Sequence, residues 1–156
     1  MRNKYTMQKF LMLSLFILLV LSAFSQQSPL KWNYSAKKIG DKTYEIHITA
    51  ALENGWHTYS ESTPEGGPLP TTISFTKNPL LVMMGKIKED GKMQQKFEEV
   101  FGIDVKYFSD KVDFVQVVKL KHNVKTSVNG TVEYMVCTDK ECLPPAKASF
   151  DIALAP

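Results

Sequence analysis

Short stretches in which apolar and polar residues alternate one for one, cut by Gly, Asn, Asp and Pro, set the strongest limit on how this chain can fold. Tyr44, Ile46 and Ile48 alternate with Glu45, His47 and Thr49, the period of a strand buried on one face. Val132, Tyr134 and Val136 alternate with Glu133 and Met135, and Phe150, Ile152 and Leu154 with Asp151 and Ala153. Val112 to Leu120 is a longer β-rich run with Phe114, Val118 and Leu120 on one side. Thr71 to Thr76 and Leu80 to Ile87 are further strand candidates. Gly40-Asp41, Asn54-Gly55, Asp90-Gly91 and Asn129-Gly130 supply residues that tolerate positive φ and predict turns. Pro64 to Pro70 is too rich in Pro and Gly for a strand interior and predicts a structured loop. Lys92 to Gly102 fits one helical turn or a loop equally well. Many short strands with turn signals predict an all-β antiparallel sandwich.

The first residues read differently. Arg2, Lys4 and Lys9 precede an apolar run from Phe10 to Leu21, and Ala23-Phe24-Ser25 follows. Basic start, short apolar run and small residues at the cut make this a secretory signal peptide, since the run is too short to span a bilayer comfortably. Residues 1–25 are therefore expected to be removed before Gln26, leaving one domain over 26–156. No cysteine lies near the cut, so no lipid anchor is expected. The 19 Lys+Arg and 16 Asp+Glu give +3. Residues 1–25 hold three of the basic residues and no acidic ones, so the mature chain is formally neutral. Nothing in that balance asks for a nucleic-acid partner. About 130 residues suffice for a real core without a covalent staple. Export places the chain in an oxidising compartment, the periplasm, where a disulfide can persist.

The two cysteines stand in Tyr134-Met135-Val136-Cys137-Thr138-Asp139-Lys140-Glu141-Cys142-Leu143-Pro144-Pro145. A bond between them would close a very small ring, worth only about 2 kcal/mol. A crosslink that constrains so little is better suited to chemistry than to strength. Exchange requires a thiolate with access to a partner. The polar segment between the cysteines should lie at the surface. Lys140 would lower a neighbouring thiol's pKa, and Asp139 and Glu141 would oppose it. Pro144 and Pro145 stop any helix after Cys142. By residues alone two readings stand: a redox pair, or an inert staple at a hairpin in a non-catalytic binding module.

Other residues point to less. Trp32, Tyr34, Trp56 and Tyr59 suit core or loop packing better than a ligand platform. His47, His57 and His122 show no metal spacing, and His47 and His122 fall in strand-like runs as surface or edge residues. Met83, Met84, Met93 and Met135 suit gap-filling in a core better than copper binding. No metal and no cofactor is expected. No Ser-His-Asp pattern or phosphate loop is present.

Three blocks together carry a resemblance. Cys137 to Pro145, with Tyr134 three residues before the first cysteine, resembles the active-site hairpin of the N-terminal periplasmic domain of the thiol–disulfide interchange protein DsbD. Gly55-Trp56-His57-Thr58-Tyr59-Ser60 followed by Gly66-Gly67-Pro68-Leu69-Pro70-Thr71 is similar to a stretch typical of that family. Glu98-Glu99-Val100-Phe101-Gly102 resembles the loop that caps its active site. The resemblance implies an immunoglobulin-like fold with an inserted active-site hairpin and cap loop. It implies a thiol–disulfide oxidoreductase component whose cysteine pair alternates between dithiol and disulfide. Cys142 would form the mixed disulfide with a partner, and Cys137 would resolve it. Phe101, with Val100, would shield the pair, Phe97 being a competing candidate, and Tyr134 would pack beside the sulfurs. The implied partners are thioredoxin-like periplasmic proteins and, for a chain of this extent, a separate DsbD- or CcdA-like membrane protein as electron donor.

Overall fold

The computed structural model describes residues 28–99 and 101–155. The expected signal peptide and Val100 lie outside the described residues. Among these the chain is all strand: β1 (Leu30–Gly40), β2 (Thr43–Leu52), β3 (His57–Tyr59), β4 (Thr72–Phe75), β5 (Leu81–Glu98), β6 (Ile103–Leu120), β7 (Thr126–Tyr134), β8 (Val136–Cys137) and β9 (Ala146–Leu154). Every pairing is antiparallel. One sheet runs β1-β2-β6-β3-β8 with β5 also on β6, and the other runs β4-β7-β9. No described helix is long and apolar enough to cross a membrane.

The period-two pattern explains how the layers meet. Tyr44, Ile46, Ile48 and Ala50 of β2, Val112, Phe114, Val118 and Leu120 of β6, Val128 and Val132 of β7, and Phe150, Ile152 and Leu154 of β9 are all buried in one cluster between the sheets. Burial of such side chains is the main favourable term in folding. Gln116 falls on the same face of β6, and its amide is satisfied by the carbonyls of Met84 and Val117 at 3.0 and 2.8 Å.

β6 organises the molecule. β5 runs along one edge of it. On the other edge β6 pairs β2 through Lys111–Lys119 and β3 through Tyr107–Ser109. Asp110, at φ 66°, sits at the hand-over between the two partners. β5 shifts register at the same level, between Gly91 and Met93. Such bulges bend a strand and re-aim what lies beyond it. The far halves of β5 and β6, with β3 and β8, therefore form a small sub-sheet at one end of the sandwich.

Several expectations need correction. Asp90-Gly91 and Asn129-Gly130 are not turns; they lie inside β5 and β7. Both glycines serve close approach instead. A Cβ on Gly130 would strike the Phe150 ring and the Ser74 carbonyl, and one on Gly91 would lie 3.0 Å from the Lys111 carbonyl. Lys92 to Gly102 is neither a helical turn nor a loop throughout: strand continues to Glu98 because residues 93–98 pair with 103–108. β1, not anticipated, buries Leu30 and packs Trp32 and Tyr34 on the core. His122 lies after β6 rather than in a strand, while His47 lies in β2 with its side chain partly exposed and bonded to Asp113. Met83, Met84 and Met93 are exposed on β5 instead of filling the core.

Candidate functional site

Cys137 ends β8 and forms a bridge pair with Cys142, and the two sulfurs are bonded, with the Cα atoms 4.0 Å apart. The hairpin between them is closed by its own hydrogen bonds. The Thr138 amide donates to the Glu141 carbonyl at 2.8 Å, and the Leu143 amide to the Val136 carbonyl at 2.9 Å. The Thr138 hydroxyl accepts from the amides of Lys140 and Glu141 at 3.2 and 3.1 Å. Such local side-chain bonds hold a turn without further secondary structure. The two sulfurs differ in access. Cys137 is 1% exposed, whereas Cys142 is exposed, as are Asp139, Lys140 and Glu141 beside it.

Cys137 does not belong to the main core. It sits in a second cluster with Tyr59 and Val105, against which Ile103, Tyr107 and Met135 pack. The register explains this. Thr58 and Val136 pair across β3 and β8, and Thr58 also faces Phe108. Val136 and Phe108 point into the sandwich. Their neighbours His57, Tyr59, Tyr107, Ser109 and Cys137 therefore point to the opposite face of the sheet. Tyr134 shares parity with Val136, so it lies in the main core, edge-on to Trp32 at 5.2 Å. It also lines a groove of about 570 Å³ with Trp56, Val136, Leu143 and Pro144.

The Gly55–Ser60 and Gly66–Thr71 blocks build the support under the hairpin. The Thr58 hydroxyl, fully buried, donates to the Met135 carbonyl at 3.0 Å, and the Thr71 hydroxyl donates to the Tyr59 carbonyl at 2.6 Å. The first bond fastens β3 to the chain entering β8, and the second fastens the segment leading into β4 to β3. The Ser60 hydroxyl donates to Glu89 at 2.6 Å and the Glu61 amide to the same carboxylate at 2.8 Å, which ties the following loop to β5. A Cβ on Gly67 would meet Ile103 Cδ1 at 2.6 Å, so the Gly-Pro loop lies directly on the sub-sheet.

The tip of the β5–β6 hairpin closes with the Gly102 amide donating to the Glu98 carbonyl at 2.8 Å and Gly102 at φ 68°. Phe101, at this tip, is 46% exposed, and Phe97 is 57% exposed. Lys96 and Glu98 pair with Val105 and Ile103 of the cysteine-side cluster, while Phe97 pairs with Asp104 and so projects to the other face.

The polar groups around Cys137 form one patch. His57 is the cross-strand partner of Cys137. Its Nε2 lies 3.2 Å from the Tyr59 hydroxyl, and its ring packs on Tyr107 at 5.0 Å. Burial, then the charge of Glu98 and the neighbouring Tyr107, push the Tyr59 phenol up to about 12. Burial lowers the His57 pKa, with Asp139 pulling it up, Lys96 pushing it down and Glu98 pulling it up. His57 and this polar patch escaped the sequence reading. The signal lay in the Gly55–Ser60 block, but only the strand pairing reveals which of its residues faces a cysteine.

Similar structures share this architecture. The N-terminal domain of DsbD from Neisseria meningitidis, in reduced form, matches with a TM-score of 0.56 and 14% identity, over 88% of this chain and 94% of that one. The DsbD N-terminal domain studied in complex with the PilB N-terminal domain, from Neisseria meningitidis, matches with a TM-score of 0.51 and 13% identity, over 83% of this chain and 87% of that one. The N-terminal periplasmic domain of ScsB from Proteus mirabilis matches with a TM-score of 0.53 and 17% identity. That match covers 83% of this chain but spans only 48% of the ScsB chain. These likenesses establish the fold as an immunoglobulin-like β-sandwich. No curated protein matches the chain at a significant level. The profile of the family described as thiol:disulfide interchange protein DsbD, N-terminal, matches residues 25–154, and the chain belongs to that family.

Proposed function

We propose that this chain is an exported thiol–disulfide relay domain, working through Cys137 and Cys142 on thioredoxin-like proteins of the periplasm. The proposal includes a signal peptide over 1–25 and a mature domain over 26–156. Family membership and the Cys137–Cys142 disulfide make it a thiol–disulfide interchange domain. The finer reading rests chiefly on one observation: of two bonded sulfurs in one hairpin, Cys142 is exposed and Cys137 is 1% exposed. Attack in thiol–disulfide exchange requires access to the sulfur. Cys142 is then the sulfur that meets the partner.

In the reducing direction the Cys142 thiolate attacks a sulfur of the partner's disulfide. That bond breaks, and a mixed disulfide joins Cys142 to the partner. Cys137 then attacks the Cys142 sulfur, closing the intramolecular bond and releasing the partner's second thiolate. Two electrons pass from this domain to the partner. A membrane electron donor resets the dithiol by the same chemistry in reverse. Phe101, at the hairpin tip, shields the pair from unrelated thiols together with Val100, while Tyr134, expected beside the sulfurs, packs instead in the main core on the opposite face from Cys137.

The roles are separable by substitution. Cys142→Ser is expected to abolish exchange with a thioredoxin-like partner. Cys137→Ser is expected to hold the partner as a mixed disulfide, visible on a non-reducing gel and released by dithiothreitol. Undiminished transfer by both variants would refute the relay and leave a binding module with a structural disulfide.

A further inference from the structure

We propose that His57 is the proton acceptor for Cys137 when that sulfur closes the intramolecular disulfide, an inference that rests on the exchange reading above. Cys137 and His57 are direct cross-strand partners between β8 and β3. Opposed residues on antiparallel strands project from the same face with Cβ atoms about 4.5–5.5 Å apart. Cys137 is 1% exposed, so in the dithiol state its proton has almost no water to go to. Only the thiolate is a nucleophile, and apolar burial holds a thiol protonated. A resolving cysteine in this position needs an acceptor on its own face.

The groups on that face leave one candidate. Tyr59, with its phenol pushed up to about 12, stays protonated. The Tyr107 hydroxyl is bonded to Gln94, which also reaches Ser109. Lys96 is paired with Glu98 at 3.3 Å and, as an ammonium, has no lone pair to offer. Asp139 and Glu98 act on the imidazole as charges, and carboxylates are far weaker bases than imidazole. His57 is held rather than free: Nε2 sits 3.2 Å from the Tyr59 hydroxyl, and the ring is edge-on to Tyr59 at 5.4 Å. In the tautomer whose Nε2–H donates to the Tyr59 hydroxyl, Nδ1 is the nitrogen left to accept a proton. Burial keeps the ring neutral at neutral pH, the form able to take a proton.

The step balances. In the mixed disulfide, the Cys137 S–H proton passes to His57 Nδ1 as the sulfur's electron pair forms the bond to Cys142 Sγ. The bond between Cys142 and the partner breaks, and the partner leaves with that electron pair as a thiolate, which takes up a proton. The domain is oxidised by two electrons and the partner's sulfur is reduced. In reverse, imidazolium protonates Cys137 as it leaves.

A small aromatic disulfide, dithiobis-nitrobenzoate, separates the two sulfurs kinetically in the reduced full-length protein. Attack by Cys142 releases one coloured thiolate, and attack by Cys137 on the resulting mixed disulfide releases a second. For the wild type the second release is expected to be level through neutral pH up to about pH 8.5 and to fall only in acid, below the usual imidazole range, as the buried imidazole protonates. In His57→Gln the second release is expected to slow by at least about tenfold at neutral pH. It should then rise about tenfold per pH unit, because only solvent takes the proton. The first release should be unchanged. Equal second-phase rates and slopes in both proteins would overturn the role of His57 while leaving exchange intact. If His57→Gln does not fold, the wild-type profile decides alone: a second release with no level region overturns the proposal. A wild type that releases only one equivalent would instead refute the exchange reading itself.

Discussion

Single residues set how the fold's stability depends on pH, and Glu61 shows how. It is half-buried beside Glu89, and burial, then the Glu89 charge, raise its pKa above the usual carboxylate value. The folded protein therefore holds the Glu61 proton more tightly than the unfolded chain. Its contribution to stability is present below about pH 4.5 and is lost as pH rises through the raised folded value. Glu61→Gln is accordingly expected to stabilise the protein at neutral pH, by less than about 1 kcal/mol after solvent screening, and to give no gain at acid pH. Urea denaturation at the two pH values checks this. At the same scale the sequence misleads where a glycine has two uses. Asn129-Gly130 has the chemistry of a turn, yet Gly130 is glycine because the Phe150 ring and Ser74 carbonyl occupy the space of a Cβ. That reason lies in the packing of β4 and β9 on β7, which local sequence does not encode.

At the scale of elements, the long β5–β6 hairpin does two jobs. Its near half closes the sandwich, and its far half carries a tip beside the cysteine cluster. If the tip shields the pair, Phe101→Ala should speed reduction of the disulfide by glutathione by about threefold or more, because access limits exchange. Phe97→Ala, on the opposite face by register, should leave that rate unchanged. Stopped-flow reduction followed by thiol titration measures both. The strands themselves were legible wherever alternation was regular, as in Tyr44–Ile48 and Phe150–Leu154. β3 was not, because three residues are too few to show a period. Its position is set by Thr58 and Thr71 hydroxyls reaching backbone carbonyls. β5 beyond Gly91 was missed because its residues are mostly exposed on both faces, and only pairing with β6 makes it a strand. The cysteine hairpin was legible from its composition, but not which sulfur is buried, which follows from the parity of β8.

For the whole molecule, the sandwich core between the two sheets holds the fold, and the site is mounted on the outer face of one sheet, away from that core. The disulfide can therefore open without dismantling the structure. Its ring spans a sequence separation of 5, so reduction should cost only about 2 kcal/mol. On the proposed function, this bond exists to be exchanged. The most direct test is the reduction potential of the Cys137–Cys142 couple in the native protein, by equilibration in glutathione buffers and alkylation of free thiols. A relay is expected to give a value well above about −300 mV, in the range of glutathione and thioredoxin-like couples. A value below about −300 mV would mark a structural bond and contradict the relay.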